Sequence, residues 1–254
     1  MNIPRELFEE ILSYLSPDNQ YDQWWLQNCS LVAKSWANPC RRRLFKTVNI
    51  CDETLLSWLD SIPPTNDELL RHTRSLSYVT NTSGWHFGEH CVDVLRDYLP
   101  SFHQLQHLTL SSVQVPSDIS EQVDMFSAFR HTLSRLSLGN CYVTTSALVT
   151  LVNYFPRLDR VDLLYLWNGV DDEPAPPISH PPMQELHVSE FYPHRDAFHT
   201  FHRLSELGPL FDEVVLEGRS QVLLSELSHI AGTLGVNTKR LRLLQHLAVG
   251  AYTT

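Results

Sequence analysis

The sequence predicts a mixed α+β fold, with a small three-helix bundle followed by an α/β solenoid that carries a curved parallel sheet. Two patterns support this prediction. Residues 1–50 show helical spacing of apolar residues, whereas an apolar pattern, L-x-x-L-x-L, returns at a nearly even pitch from Leu105 onwards. The 254 residues also suffice for a substantial core. We expect domains at 1–50 and 71–254, joined by a linker at 51–70.

Three short helices are expected in residues 1–50. Pro4 suits the first turn of a helix, because its missing N–H has no partner to lose there. Ser16-Pro17-Asp18 should end this helix, a second should follow from Tyr21, and Pro39 should introduce a third. The first helix carries a broad apolar stripe of Leu7, Phe8, Ile11, Leu12 and Leu15. So small a bundle buries little area, so a partner is expected.

Seven strands are expected after the linker, one for each copy of the repeated pattern. The middle residues of the copies are Leu76, Leu108, Leu136, Val161, Leu186, Val214 and Leu241, at spacings of 32, 28, 25, 25, 28 and 27 residues. The alternation L-x-L indicates a short strand with one buried face. The pattern therefore predicts about seven repeats, each contributing one strand.

Helical periodicity returns between the strands. It is clear at 145–155, which Pro156 should end, and at 220–234, and it is less regular at 118–129. One strand and one helix cannot close a core alone, so the units should stack, with parallel strands on the concave side. Residues 165–182 contain five prolines and interrupt this rhythm, as either a protruding binding loop or a passive crossover.

Leu133 to Cys141 reads L-x-x-L-x-L-x-x-C, with Cys141 where the strand turn closes. This segment resembles the leucine-rich repeats of the ribonuclease-inhibitor type. An ordinary α/β protein with leucine-rich strands is the alternative.

The N-terminal sequence resembles an F-box. The motif residues are Ile3-Pro4, Glu6-Leu7, Ile11-Leu12, Leu15, Ser30-Leu31-Val32, Lys34-Ser35-Trp36, Leu44-Phe45, Val48 and Ile50. The order, F-box first and repeats after, is similar to the F-box/leucine-rich-repeat proteins of the fungal type. The chain departs from the common pattern at 21–25, which is unusually aromatic.

This resemblance implies a non-catalytic substrate receptor of an SCF-type cullin ubiquitin ligase, which binds a Skp-family adaptor through the F-box and a target through the repeats. The residues that match motif positions, and so serve adaptor contact or the domain's own core, are Pro4, Leu7, Phe8, Ile11, Leu12, Leu31 and Trp36. The alternative is a leucine-rich scaffold or regulatory protein that acts without ubiquitination of a target.

Composition favours an intracellular binding protein. Five cysteines without C-x-x-C spacing indicate free thiols, and the acidic start does not suit a signal peptide, so we expect the cytoplasm or nucleus. Residues 51–254 hold 13 Lys/Arg against 24 Asp/Glu, a net charge of −11, which disfavours nucleic-acid binding there. The basic run Arg41–Arg43 with Lys46 is interpreted as a solvated face.

Catalytic motifs are not expected to carry the function. The sequence lacks a G-x-S-x-G elbow, a phosphate-binding glycine loop and an H-E-x-x-H pair. Two histidine groups, His86 and His90 with Cys91, and His194 with His199 and His202, have metal-compatible spacing but no completing ligand set. We predict no enzyme activity, no metal and no cofactor.

Strand alternation predicts which side chains face the concave surface. The candidate target contacts are His107, Arg135, Arg160, Asp162, Glu185, His187, Glu213 and Glu217. Their charge changes sign along the groove, from basic at Arg135 and Arg160 to acidic at Glu185, which suits a protein or peptide ligand. The alternative is that these eight candidates are ordinary solvated surface residues.

Overall fold

The structure is a computed structural model of the chain. It describes residues 4–16, 19–51, 70–80, 99–115, 123–164, 167–168, 183–189, 211–218 and 240–245, with Arg96 and Ile119. Within these ranges the architecture is a helical bundle at the N-terminus followed by a parallel β-sheet. None of the described helices is long and apolar enough to span a bilayer.

Three helices form the N-terminal bundle, as the sequence predicts. They are α1 (Arg5–Ser13), α2 (Gln20–Val32) and α3 (Lys34–Leu44). Pro4 precedes α1, and its carbonyl accepts the Phe8 N–H at 3.1 Å. Asn19 caps α2, since its side chain accepts the Tyr21 N–H at 2.9 Å and so satisfies an otherwise unpaired donor.

The start of α3 differs from the prediction. Ala33, with extended angles of φ −149° and ψ 145°, separates α2 from α3, whereas Pro39 lies inside α3. A proline removes one i→i−4 hydrogen bond, and α3 continues past this loss. A single extended residue breaks the backbone ladder completely, so the predicted boundary at Pro39 is wrong.

Eight parallel strands make one sheet whose spatial order follows the chain. They are β1 (Thr47–Cys51), β2 (Ser75–Val79), β3 (His107–Ser111), β4 (Arg135–Gly139), β6 (Arg160–Leu164), β8 (Met183–Ser189), β9 (Phe211–Gly218) and β10 (Arg240–Gln245). The short strands β5 (Tyr142–Val143) and β7 (Trp167–Asn168) pair separately. All seven predicted strands are confirmed.

The predicted register is confirmed as well. Leu76 pairs with Leu108, Leu108 with Leu136, and the remaining middle residues of the pattern follow in line to Leu241. The same main-chain hydrogen bond recurs where neighbouring strands begin. The Gln106 N–H donates to the Arg74 carbonyl and the Ser134 N–H donates to the Gln106 carbonyl, both at 2.8 Å. The stacking of whole repeats into a curved solenoid stays a prediction.

Strand β1 was not predicted, so the sheet has one strand more than the seven expected. Val48 and Ile50 were assigned to the F-box motif, but both are buried and β1 pairs with β2 in the same register as the later strands. Phe45, Val48 and Ile50 repeat the L-x-x-L-x-L spacing, and Val48 lies 28 residues before Leu76. The bundle therefore leads directly into the sheet.

The crossovers are less regular than predicted. Helix α4 (Thr145–Tyr154) is confirmed, with the Thr144 hydroxyl accepting the Ala147 N–H at 3.2 Å. Within the predicted helix over 118–129, Ile119 is helical and Val123–Phe129 form a 3-10 helix, whose aromatic rings pack in the core with Phe155. The predicted helix at 220–234, and residues 165–182 apart from β7, lie outside the described residues.

Candidate functional site

The bundle has a compact core that includes three of the residues matched to the motif. Phe8 and Leu12 are buried with Leu26 and Cys40, and Trp36 packs against them. The rings of Phe8 and Trp36 stack with centroids 4.4 Å apart. Phe8 and Leu12 therefore belong to the core of the bundle, and Trp36 packs at its edge.

The other four matched residues are exposed. Leu7 and Ile11 are 49% and 46% exposed on α1, and Leu31 is 83% exposed on α2. Pro4 is exposed at the start of α1. Leu7 and Ile11 are four residues apart, so they share one helix face. Unpaired apolar surface of this kind typically marks an interaction site.

Further exposed apolar residues lie outside the matched motif positions. Tyr14 continues the Leu7 and Ile11 face of α1, and α2 exposes Tyr21, Trp24, Trp25 and Val32. The α2 residues recur at intervals of three, four and seven, so with Leu31 they lie on one face of the helix. The aromatic stretch at 21–25 was recognised as unusual, but its exposure was not predicted. The helical spacing of these aromatic residues was the sequence signal that could have predicted their shared exposed face.

Arg43 in the basic run has a structural role that the sequence did not predict. Its Nε donates to the Leu15 carbonyl and its Nη2 to the Ser13 carbonyl, both at 3.0 Å. These carbonyls belong to the end of α1, where backbone acceptors lack helical partners. Arg41 and Arg42 are exposed, as a solvated face requires. The basic run therefore joins α3 to α1 through one of its three arginines.

The polar ladders lie on the sheet face that the sequence predicts to be concave, and Asp162 is at their centre. Its Oδ2 accepts from Arg135 Nε at 2.6 Å and from Ser137 Oγ at 2.9 Å, while its Oδ1 accepts from Arg160 Nε at 2.8 Å. Asp162 is only 3% exposed. The two guanidinium groups cover the carboxylate, so the prediction of Asp162 as a direct target contact needs correction.

These contacts also set the ionisation of Asp162. Burial acts to raise the pKa of its carboxyl, but hydrogen bonds from Arg135, Arg160 and Ser137 outweigh burial and hold the pKa below its usual value. The carboxylate is therefore charged at neutral pH. A buried carboxylate with two arginines and a hydroxyl is an organised polar cluster, not a loosely solvated surface.

The cluster continues onto β8. Arg160 Nη1 lies 2.9 Å from Glu185 Oε1, and Arg160 Nη2 lies 3.3 Å from His187 Nδ1. His187 Nδ1 is also 3.4 Å from Asp162 Oδ1. The side chains of Arg135 and Arg160 keep 41% and 32% of their surface exposed. Five of the eight predicted target contacts, Arg135, Arg160, Asp162, Glu185 and His187, thus form one connected group.

The remaining predicted target contacts lie on either side of this group. His107 is exposed on β3, and its pKa is lowered by partial burial and by the charges of Arg135 and Lys46, with Asp162 acting in the opposite direction. Glu213 on β9 pairs with Arg242 on β10. Glu217 holds its predicted register position, but its side chain lies outside the described residues.

Cysteine and metal chemistry do not define a site in the described part of the chain. Four cysteines are free there, and burial raises the pKa of Cys40 and Cys141 to about 11. The Cys141 thiol donates to the Leu110 and Gly139 carbonyls at 3.3 Å, so it closes the strand turn as predicted. No group of three possible ligands converges among the described residues, and both histidine groups considered as metal sites lie outside them.

Comparison with known proteins identifies the bundle. No curated protein matches the chain significantly. Residues 1–47 match the family model of the F-box domain, a range that contains all three helices of the bundle. F-box domains bind Skp-family adaptors, and F-box proteins are generally non-catalytic. The N-terminal part of this chain is an F-box domain.

Proposed function

We propose that the chain is a substrate receptor of an SCF-type cullin ubiquitin ligase. The F-box domain binds a Skp-family adaptor, and through it cullin, and the sheet, built from leucine-rich repeats that stack as a solenoid, holds a target protein. Its activity is to bring the target close to the ligase and needs no catalytic residue, metal or cofactor of its own. It works in the cytoplasm, the nucleus or both.

The exposed apolar surface of the F-box domain carries this proposal. Leu7, Ile11 and Leu31 match motif positions, yet the bundle leaves Leu7 and Ile11 nearly half exposed and Leu31 mostly exposed. Covering Leu7 and Ile11 fully would contribute about 1 kcal/mol each, since complete burial of such a side chain is worth about 2 kcal/mol. Aromatic side chains such as Trp24 and Trp25 are common interface anchors. An apolar adaptor groove fits this surface.

The polar face of the sheet supports target binding. The F-box leads into β1 without a spacer, and the ladders of successive strands lie in register. A target on this face is therefore held by the same sheet that begins at the end of the F-box domain. The cluster around Asp162 gives the face a fixed arrangement of charge, which favours selective recognition of a protein surface.

The adaptor surface is tested by truncating its exposed residues. The full chain and its Leu7→Ala/Ile11→Ala variant are titrated with a purified Skp-family adaptor. A loss of about 2 kcal/mol corresponds to about thirtyfold weaker binding. The fold should be retained, because the two side chains lie outside the bundle core.

The matched control is Glu6→Ala/Glu10→Ala, which changes two exposed residues at the same spacing on the same helix. This variant should bind the adaptor with nearly unchanged affinity. Equal binding by the well-folded Leu7→Ala/Ile11→Ala variant and by wild type would refute the assignment of this surface.

A further inference from the structure

Cations gather at the end of the sheet that adjoins the F-box domain. Lys46 and Arg74 are exposed immediately before β1 and β2, and the Arg74 N–H donates to the Lys46 carbonyl at 2.9 Å. The Gln106 N–H in turn bonds the Arg74 carbonyl, and His107 and Arg135 follow on β3 and β4. Four neighbouring strands thus present a basic edge in a chain whose net charge is −10.

Arg135 is held in place on the groove side. Its Nε bonds Asp162 Oδ2, and Ser137 donates to the same oxygen. Among the described residues no other acceptor engages its guanidinium, and 41% of the side chain is exposed. Its outer N–H groups are therefore fixed in position and open to solvent. A preorganised guanidinium loses little entropy when it binds an anion.

The field at this edge is positive. Partial burial is the largest cause of the lowered pKa of the His107 imidazole, and the charges of Arg135 and Lys46 lower it further. Asp162, although ionised, only partly offsets them. No described carboxylate pairs with Lys46 or Arg74. The negative charge of Asp162 is thus screened on the side that faces a ligand.

An acidic stretch limits the basic edge on its other side. Asp159 is exposed just before β6, and Glu185 and Glu213 are half-buried on β8 and β9. Adjacent strands are about 4.8 Å apart, so β1 to β4 span about 14 Å, the length of about four extended residues. A short anionic segment fits this span, whereas a long polyanion would reach the carboxylates and be repelled.

We propose that this basic edge, Lys46, Arg74, His107 and Arg135, binds a short acidic segment of the target protein. The inference rests on the proposed function and specifies which part of the target is recognised. The anionic groups are glutamate or aspartate carboxylates or phosphorylated side chains, which share the same chemistry. Arg135 receives one of them through its outer N–H groups, and Lys46 and Arg74 receive others near the F-box domain.

Peptide binding by the full chain tests this proposal. Three fluorescent peptides of equal length are compared by anisotropy: a glutamate block, a phosphoserine block and a serine block. The variant is Lys46→Gln/Arg74→Gln, which leaves the Asp162 cluster intact. Its control, Lys34→Gln/Arg157→Gln, removes one exposed lysine and one exposed arginine elsewhere. A single-stranded oligonucleotide of similar charge is measured alongside.

The glutamate or the phosphoserine peptide should bind and the serine peptide should not, and the better anionic peptide identifies the source of the charge. Two exposed ion pairs correspond to about a tenfold loss in Lys46→Gln/Arg74→Gln, decreasing with added salt. Equal losses in the control variant, binding of the serine peptide, or preference for the oligonucleotide would overturn the proposal.

The same samples are titrated with the Skp-family adaptor. Adaptor binding without anionic-peptide binding would refute this inference alone. Peptide binding without adaptor binding would refute the proposed function and leave the acidic-segment site standing.

Discussion

Replacement of Asp162 by asparagine is the most informative perturbation of the sheet. Asparagine keeps the size of the side chain but removes the charge that holds Arg135 and Arg160. Hydrogen bonds to charged groups contribute about 1.5 to 3 kcal/mol each, but both arginines are about one third exposed and can regain water. Discounting each bond to about 1 kcal/mol gives an expected loss of about 2 kcal/mol.

Urea unfolding of the full chain, followed by far-UV circular dichroism, measures this loss. Asp159→Asn is the matched control, because Asp159 is an exposed aspartate just before the same strand. The control should change the free energy of unfolding by less than about 0.5 kcal/mol. If Asp162→Asn changed it no more than the control, the carboxylate would not organise the groove.

The pH dependence gives a second check on the same residue. A carboxyl whose pKa is lower in the folded chain stabilises it above the unfolded pKa of about 4 and loses this effect as the pH falls through the folded pKa. The difference in stability between wild type and Asp162→Asn should therefore be constant near neutral pH and shrink below about pH 4. A difference that grew on acidification would contradict the ion-pair explanation.

Three further predictions concern the core and the thiols. Leu136→Asp should lower the free energy of unfolding by about 4 kcal/mol, because Leu136 is buried in a central strand, whereas Gln104→Asp at an exposed position should have little effect in the same urea titration. Arg43→Gln should cost about 1 to 2 kcal/mol through its two carbonyl bonds, and exposed Arg42→Gln should not; equal thermal melting of the two would remove this role. Iodoacetamide at about pH 8 should modify Cys29 and Cys51 before Cys40 and Cys141, whose raised pKa and burial suppress the thiolate; mass spectrometry of a time course would show the reverse order if these thiols were accessible.

The strand register could be predicted because it depends on short-range spacing. A period of two with a fixed pitch places Leu108, Leu136 and Val161 on the same side of neighbouring strands. Strand β1 was missed because Phe45, Val48 and Ile50 satisfy two patterns at once, the end of the F-box motif and the first strand repeat. The break at Ala33 has no local signal, because alanine favours helices.

The sequence predicts which face of the sheet Asp162 lies on, but it does not predict how deeply the side chain is buried. Alternation places Asp162 on the polar face of the sheet, but its burial depends on two arginines that cover it from β4 and β6. Long side chains can cover a neighbour on the same or the adjacent strand or extend into water, and sequence spacing does not decide between them. In the F-box domain Phe8 is buried and Leu7 is exposed, although both match motif positions. The difference depends on how α1 packs against α3.

The burial of Asp162 determines which substitutions can test target binding on this face of the sheet. Reversal of Arg135 and Arg160 to glutamate is not a clean test of target capture. Each of them bonds the buried Asp162, so this reversal would place like charges around a covered carboxylate and destabilise the sheet. Changes at Lys46 and Arg74 avoid this problem.

Ubiquitination of captured proteins tests the central claim most directly. The tagged chain and its Leu7→Ala/Ile11→Ala variant are recovered from cells treated with a proteasome inhibitor. Cullin and ubiquitin are then quantified in the proteins that are recovered with each. Both proteins should capture the same targets, but only wild type should bring cullin and ubiquitin-modified target. Equal cullin recovery and equal modification with both proteins would contradict it.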